Sequence, residues 1–179
     1  KMVNENKVAW HAGKSKWKSF KNLNKNSIGI ELVNKGHKFG YEKFSKVQIT
    51  KLIKLCLNLK RKYNIKDSNI VGHSDIAPLR KQDPGEKFPW KKLQQKKLGI
   101  WYKNFKFKSK GQINKKNVKS FYKNLFKIGY RYFDQNKRTS KDALIVKAFQ
   151  RRFLPREITG QINEKTHIIS QFLAIRSKN

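Results

Sequence analysis

A histidine and an aspartate ten positions apart are the side chains best placed to do chemistry in this chain. His73 follows a short apolar run, Asp83 precedes a Pro-Gly turn, and Lys81 lies two residues before that aspartate. An imidazole and a carboxylate held by rigid turn residues can form two sides of a tetrahedral zinc site. A nearby ammonium group suits an oxyanion that develops on a carbonyl. The segment therefore predicts a metal site, although a His-Asp pair at this spacing is weak evidence by itself.

A lone acid interrupts the apolar segment Ser27–Val33. Ile28, Ile30 and Leu32 fall on alternate positions, which predicts a β-strand with Glu31 on the face opposite these three side chains. Because a buried charge is costly, a strand that contains one carboxylate usually has a use for it. The alternative is a carboxylate on an edge strand that faces solvent.

The first 97 residues alternate between strand and helix signals. Ser45 and Gln48 form a capping-box pattern, and apolar residues then recur at helical spacing. Cys56 lies on that apolar stripe, which favours core packing over a nucleophile. The segment Asn69–Gly72 is predicted to be a short strand with His73 at its end. This layout predicts an α/β fold with the functional residues at strand ends and in loops.

The chain after residue 97 differs in kind, because only helical patterns follow. Each pattern has a polar residue placed to cap a helix, and the first ends at a glycine. This region therefore predicts a small three-helix unit. The predicted caps are Asn117 with Gly129 as the stop, Thr139 together with Asp142, and Asn163.

Several words of the sequence resemble the amidase-2 family of zinc-dependent N-acetylmuramoyl-L-alanine amidases, and in particular its AmpD/AmiD branch. The resemblance covers about the first 95 residues in register. It implies an α/β fold with a mixed sheet and flanking helices, as in phage T7-type lysozyme and peptidoglycan-recognition proteins. The matching words are Ala9-Trp10-His11-Ala12-Gly13, Leu23-Asn24, Ser27-Ile28-Gly29-Ile30-Glu31-Leu32, Gly72-His73-Ser74-Asp75-Ile76-Ala77-Pro78, Lys81-Gln82-Asp83-Pro84-Gly85 and Phe88-Pro89-Trp90.

The resemblance also implies roles for individual residues. His73 and Asp83 correspond to zinc ligands, and Glu31 corresponds to the general base that takes a proton from zinc-activated water. Lys81 corresponds to the lysine that stabilises the oxyanion. Residues expected to line the substrate groove are His11 and Asn24.

Each of these roles has a plainer alternative. His73 and Asp83 could be a hydrogen-bonded structural histidine and a turn aspartate. Lys81 is one lysine among very many. His11 could equally be a packed or loop histidine, and Asn24 could belong to an ordinary turn.

One zinc ligand of the family has no counterpart in the sequence. The family's first zinc histidine lies on a strand upstream of the Trp-His-Ala-Gly word, and no histidine precedes His11. The prediction is that the N-terminal part of the domain is missing and that a preceding segment or another polypeptide supplies the third ligand. A decayed enzyme is the alternative. By this interpretation the chain alone is weakly active or inactive.

The helical region resembles the first type of peptidoglycan-binding domain. The words are Ala148-Phe149-Gln150 and Gly160-Gln161-Ile162-Asn163 followed by Thr166. The predicted organisation is a zinc amidase domain at residues 1–97 and a helical peptidoglycan-binding-like domain at residues 98–179. Phe149 with Arg151 and Arg152 could form a glycan-binding face, although Phe149 fits the core stripe better.

The charge of the chain leaves several partners open. The 44 Lys and Arg residues against 11 Asp and Glu residues give a net charge of +33, which attracts polyanions. The excess of basic residues has three possible explanations. They are binding to nucleic acid, binding to the carboxylates of a bacterial wall, and the codon bias of an AT-rich genome. No helix concentrates the basic residues on one face and no zinc-finger spacing occurs, which argues against nucleic acid. No apolar run reaches the roughly 18 residues of a membrane span.

Together these patterns predict zinc-dependent hydrolysis of the amide bond between a muramic lactyl group and L-alanine. The substrates would be peptidoglycan or 1,6-anhydro-muropeptides. A non-catalytic peptidoglycan-binding or sensing protein is the alternative. The helical domain favours the bacterial envelope, or periplasm, over the cytoplasm as its location.

Overall fold

The structure is a computed structural model that describes residues 2–103 and 113–177. Six α-helices and one two-stranded antiparallel sheet form the regular elements of these residues. In chain order they are β1 (Lys16–Trp17), β2 (Phe20–Lys21), α1 (Lys46–Lys62), α2 (His73–Ile76), α3 (Trp90–Gln95), α4 (Lys115–Ile128), α5 (Asp142–Phe153) and α6 (Glu164–Arg176). Single 3₁₀ turns lie at Leu23–Lys25 and Asp67–Asn69.

The first long helix begins where its capping box predicts. The Ser45 hydroxyl accepts a hydrogen bond from the Gln48 backbone N–H, and the Gln48 side chain accepts one from the Ser45 N–H. These two bonds satisfy donors that a helix start otherwise leaves free. Ile49 and Leu52 are buried in the core on one face of α1, so the helical spacing of the apolar residues is confirmed.

The three predicted C-terminal helices all form, with differences at two caps. The Asn114 side chain caps α4 by accepting from the Asn117 N–H, so the true cap lies three residues before the predicted cap, Asn117. Asn163 caps α6 as predicted, since it accepts from the Thr166 N–H. Helix α5 starts at Asp142 and its cap residue is Lys141, not Thr139, although the Asp142 carboxylate accepts from the Thr139 N–H. The error at Asn117 arises because two asparagines three residues apart both satisfy a capping pattern.

Two predicted strands do not form within the described residues. Neither Ser27–Val33 nor Asn69–Gly72 is a β-strand. Leu32 packs against the core, but Val33 is 89% exposed and Ile28 and Ile30 are each 37% exposed. A strand needs a neighbour for its backbone N–H and C=O groups. Alternating apolar residues show which face a segment can bury, and they cannot supply the partner.

One hydrophobic cluster runs through both halves of the chain. It contains Trp17 and Trp90 from the first 97 residues together with Phe121 and Phe149 from the helical region. The predicted division at residue 97 therefore falls between two regions that share a core, and it stays a prediction. Within the described residues, no helix is long and apolar enough to cross a membrane.

At Gly129, the backbone that ends α4 lies directly against the ring of Trp17. Gly129 has a φ of +139°, and a Cβ atom there would lie 2.5 Å from the Trp17 ring. Trp17 also packs edge-on against Tyr130 with ring centroids 5.1 Å apart. The glycine that ends α4 is therefore needed both for its backbone conformation and for its missing side chain.

The substitution Gly129→Ala is expected to lower the free energy of unfolding by about 3 kcal/mol, because backbone strain and overpacking add. Gly36→Ala is the matched control. Gly36 also has a positive φ, +70°, but a Cβ there meets no atom within 4 Å. It should cost only about 1 kcal/mol. Urea unfolding measures both, and equal losses would contradict the contact with Trp17.

The single cysteine behaves as a core residue. Burial raises the pKa of the Cys56 thiol to about 11. At pH 8 the folded protein should therefore react with iodoacetamide on the order of 100-fold more slowly than the urea-unfolded chain. Mass spectrometry measures both rates without ambiguity, since Cys56 is the only cysteine. Equal rates would show that the thiol is accessible in the folded state.

Candidate active site

One loop brings His73 and Asp83 together. The His73 Nδ1 lies 3.0 Å from the Asp83 Oδ2. The loop is closed by a backbone hydrogen bond, since the Ser74 N–H donates to the Asp83 carbonyl over 2.8 Å. The predicted pairing is present, but His73 begins the short helix α2 and does not end a strand.

The loop closes tightly because Gly72 has no side chain. A Cβ atom at Gly72 would lie 2.7 Å from Pro84 Cδ and 3.1 Å from the Trp90 ring. The Pro-Gly turn after Asp83 therefore packs directly on the backbone that precedes His73. Trp90 is buried in the core, so this part of the loop packs against a buried ring.

A second segment reaches the other side of the imidazole. The His73 Nε2 lies 3.1 Å from the Ala12 carbonyl oxygen. The Ala12 and Gly13 N–H groups both donate to Asn24 Oδ1, over 2.7 and 3.2 Å. Asn24 is buried, so its amide holds the His11-Ala12-Gly13 turn against the histidine. His11 lies beside this turn, with Nε2 2.9 Å from the Ser27 hydroxyl.

Arg80 is a site residue that the sequence did not single out. Its guanidinium donates to the carbonyls of Ala12 and Lys14, and its Nη2 lies 3.5 Å from His73 Nε2. It therefore joins the turn at residues 11–14 to the loop that carries His73. In a chain with 44 basic residues, its position next to Lys81 gave no signal of this contact.

Two predicted residues remain, Lys81 and Glu31. Lys81 is half-buried, and its N–H donates to the Ala77 carbonyl. Burial alone would raise the pKa of Asp83, but the hydrogen bond with His73 and the charges of His73 and Lys81 hold it below its usual value. Glu31 is exposed and forms no hydrogen bond or ion pair with another described residue.

The pair fits part of a zinc site. An imidazole nitrogen and a carboxylate oxygen are donors that zinc takes, and a catalytic zinc has three protein ligands. Among residues 2–103 and 113–177, no group of three His, Cys, Asp or Glu side chains could hold a metal ion. Of the predicted ligands, the described residues bring together two, His73 and Asp83, and a catalytic zinc would need a third.

Comparisons with known proteins give the family of this chain. The sequence model of the Amidase_2 family, N-acetylmuramoyl-L-alanine amidase, matches residues 1–86. The structure of AmiD from Escherichia coli with the substrate anhydro-N-acetylmuramic acid-L-Ala-D-gamma-Glu-L-Lys superimposes with a TM-score of 0.84 and 32% identity. That superposition covers 98% of this chain and 71% of AmiD. The chain belongs to the Amidase_2 family. The amidase fold of these structures also confirms the predicted α/β class.

Other family members match over different lengths. AmpDh3 from Pseudomonas aeruginosa gives a TM-score of 0.85 at 32% identity and covers 99% of this chain and 72% of its own. In sequence, E. coli AmiD is 35% identical over 96% of this chain, which spans 65% of AmiD. AmpD from Enterobacter cloacae is 40% identical over 49% of this chain, which spans 44% of AmpD. The similarity to AmiD therefore includes the helical region.

Replacing Asn24 tests whether it holds the Ala12–Gly13 turn. Asn24→Leu leaves a buried N–H of Ala12 without an acceptor, so the free energy of unfolding should fall by about 1–3 kcal/mol. The control Asn26→Leu changes an exposed amide two residues away and should cost less than about 0.5 kcal/mol. Chemical denaturation measures both. Equal small losses would show that the two hydrogen bonds to Asn24 contribute little.

Proposed function

We propose that the complete protein hydrolyses the amide bond between the lactyl group of N-acetylmuramic acid, or its 1,6-anhydro form, and L-alanine. The observation that carries this proposal is the similarity to AmiD along 98% of the chain. The AmiD structure contains an anhydro-muropeptide substrate, and AmpDh3 has been solved with an anhydromuramic pentapeptide. Muropeptides are therefore the proposed substrates of this chain as well.

His73 and Asp83 are the proposed zinc ligands. Zinc, when bound, supplies a Lewis acid that polarises a carbonyl and lowers the pKa of water. His73 Nδ1 and Asp83 Oδ2 are already 3.0 Å apart, and the lowered pKa of Asp83 keeps it in the anionic form that ligation needs. The third ligand is proposed to come from a segment beyond the described residues or from another polypeptide.

The other residues take the roles that the family resemblance implies. Glu31 is proposed to accept a proton from the attacking water and to return it to the leaving nitrogen of L-alanine. Its exposed carboxylate leaves room for water and substrate. Lys81 is proposed to stabilise the oxyanion, because its ammonium charge acts on Asp83 beside the site. His11 and Asn24 are proposed to shape the substrate groove beside the turn at residues 11–13.

The test is hydrolysis of a purified anhydro-muropeptide. The protein is incubated with the substrate with added zinc and, separately, after chelation, and chromatography follows release of the peptide that begins with L-alanine. Release with zinc and none after chelation is the expected result. Intact muropeptide under both conditions, at protein concentrations that match the substrate, would contradict hydrolysis.

A binding function is the second candidate, because the described residues bring no group of three metal donors together. In that case calorimetry would detect muropeptide binding with no released peptide. A nucleic-acid ligand would instead give an affinity that falls steeply with salt.

The envelope is the proposed location, because the similarity to AmiD includes the helical region. Cell fractionation separates this location from the cytoplasm.

Replacing Glu31 tests the proposed base. Glu31→Gln keeps the size of the side chain but removes the proton acceptor, so kcat should fall by about 100-fold or more. Zinc content, measured by elemental analysis, should stay the same because Glu31 is not a proposed ligand. The control Glu42→Gln changes another exposed acid and should keep full activity. A Glu31→Gln variant with the parent rate would remove this role.

A further inference from the structure

A buried carboxylate lies two residues after His73. Asp75 is 1% exposed, and both of its oxygens are occupied. The Tyr130 hydroxyl donates to Oδ1 over 2.5 Å, and the Arg152 Nη1 donates to Oδ2 over 2.5 Å. The Gly72 N–H also donates to Oδ2, over 2.8 Å. These contacts hold Asp75 from three directions.

Two of the three donors belong to the helical region. Arg152 lies on α5, and Tyr130 follows the end of α4. Arg152 also donates to the Ile70 carbonyl over 3.1 Å, so one guanidinium binds the loop on both sides of Gly72. Its guanidinium carbon lies over the Trp90 ring, 4.0 Å from the ring centre. We call Asp75, Arg152 and Tyr130 the clamp.

The members of the clamp are buried and pair with one another. Arg152 is 3% and Tyr130 0% exposed, and a buried charge without its partner is strongly disfavoured. Burial, together with the negative charge of Asp75, raises the pKa of Tyr130 well above its usual value. The phenol therefore stays protonated and keeps donating to Asp75.

The clamp acts on His73 through one turn of backbone. His73 and Asp75 share the four-residue helix α2, and the Asp75 carboxylate caps the start of that helix at Gly72. The neighbouring Ser74 N–H holds the Asp83 carbonyl. A rotation of this turn would therefore move the His73 imidazole relative to the Asp83 carboxylate.

We propose that Arg152 and Tyr130 are positioning residues that fix the His73–Asp83 pair, so that the helical region forms part of the active-site scaffold. The role is separate from any binding of the wall by that region. The catalytic part of the inference rests on the proposed amidase function, whereas the structural part concerns the loop alone.

The experiment compares variants of the full chain by amide hydrogen exchange over residues 70–83 and by muropeptide hydrolysis. Tyr130→Phe removes one donor and keeps the ring. Arg152→Met removes the charge and leaves Asp75 buried without its cation. The double variant Asp75→Asn/Arg152→Met removes both charges, so its stability should lie closer to that of the parent. Asn124→Leu is the control, because Asn124 donates to Ser170 within the helical region and does not contact the loop.

Loss of positioning should raise exchange at residues 70–83 in Tyr130→Phe and in the double variant. It should lower kcat on the order of 10- to 100-fold with KM nearly unchanged, because a small misplacement of reacting groups is costly. Asn124→Leu should change neither. A double variant with the parent exchange and the parent kcat would show that the clamp only stabilises the fold.

The two hypotheses fail in different ways. If the parent protein releases no peptide, the amidase function fails, and exchange alone still decides the clamp. Raised exchange over residues 70–83 in Tyr130→Phe then supports it, and unchanged exchange overturns it. Should Arg152→Met not fold, Tyr130→Phe and the double variant supply both measurements.

Discussion

The ion pair between Asp75 and Arg152 joins the two halves of the molecule at the point where its chemistry is expected. Both side chains are almost fully buried, and such a pair is strongly destabilised when either partner is lost. Arg152, which lies 77 positions after Asp75, therefore fixes the loop that carries His73. The first 97 residues therefore do not form the scaffold of the site alone, because Arg152 of the helical region is part of it.

Hydrogen bonds to backbone groups and close backbone packing hold the rest of the site in place. The loop at residues 72–85 closes through a backbone hydrogen bond and through the absence of a side chain at Gly72. The turn at residues 11–13 is held by the Asn24 amide and by Arg80. These contacts orient His73 from both of its ring nitrogens. Among these contacts, Arg80 is the long and flexible side chain, so its ordering costs the most conformational entropy.

The scarcity of acids makes each one informative in a chain with a net charge of +33. Several acids face a specific basic partner, so they serve as local points of charge balance. Glu31 and Glu42 differ, since both are exposed with no such partner among the described residues. The pairs are Asp75 with Arg152, Asp83 with His73, Glu86 with His37 and Asp142 with Arg138.

The sequence by itself determined the four long helices, because capping and apolar spacing act within a few residues of one another. Ser45 and Asn163 cap their helices as predicted, and the adjacency of His73 and Asp83 follows from a short loop with rigid turn residues. The tertiary structure alone decided that Ser27–Val33 has no strand partner among the described residues and that Arg152 is buried against Asp75. Strand pairing and buried charge pairing join segments that are distant in sequence. A local sequence pattern does not indicate which distant segment will be the partner.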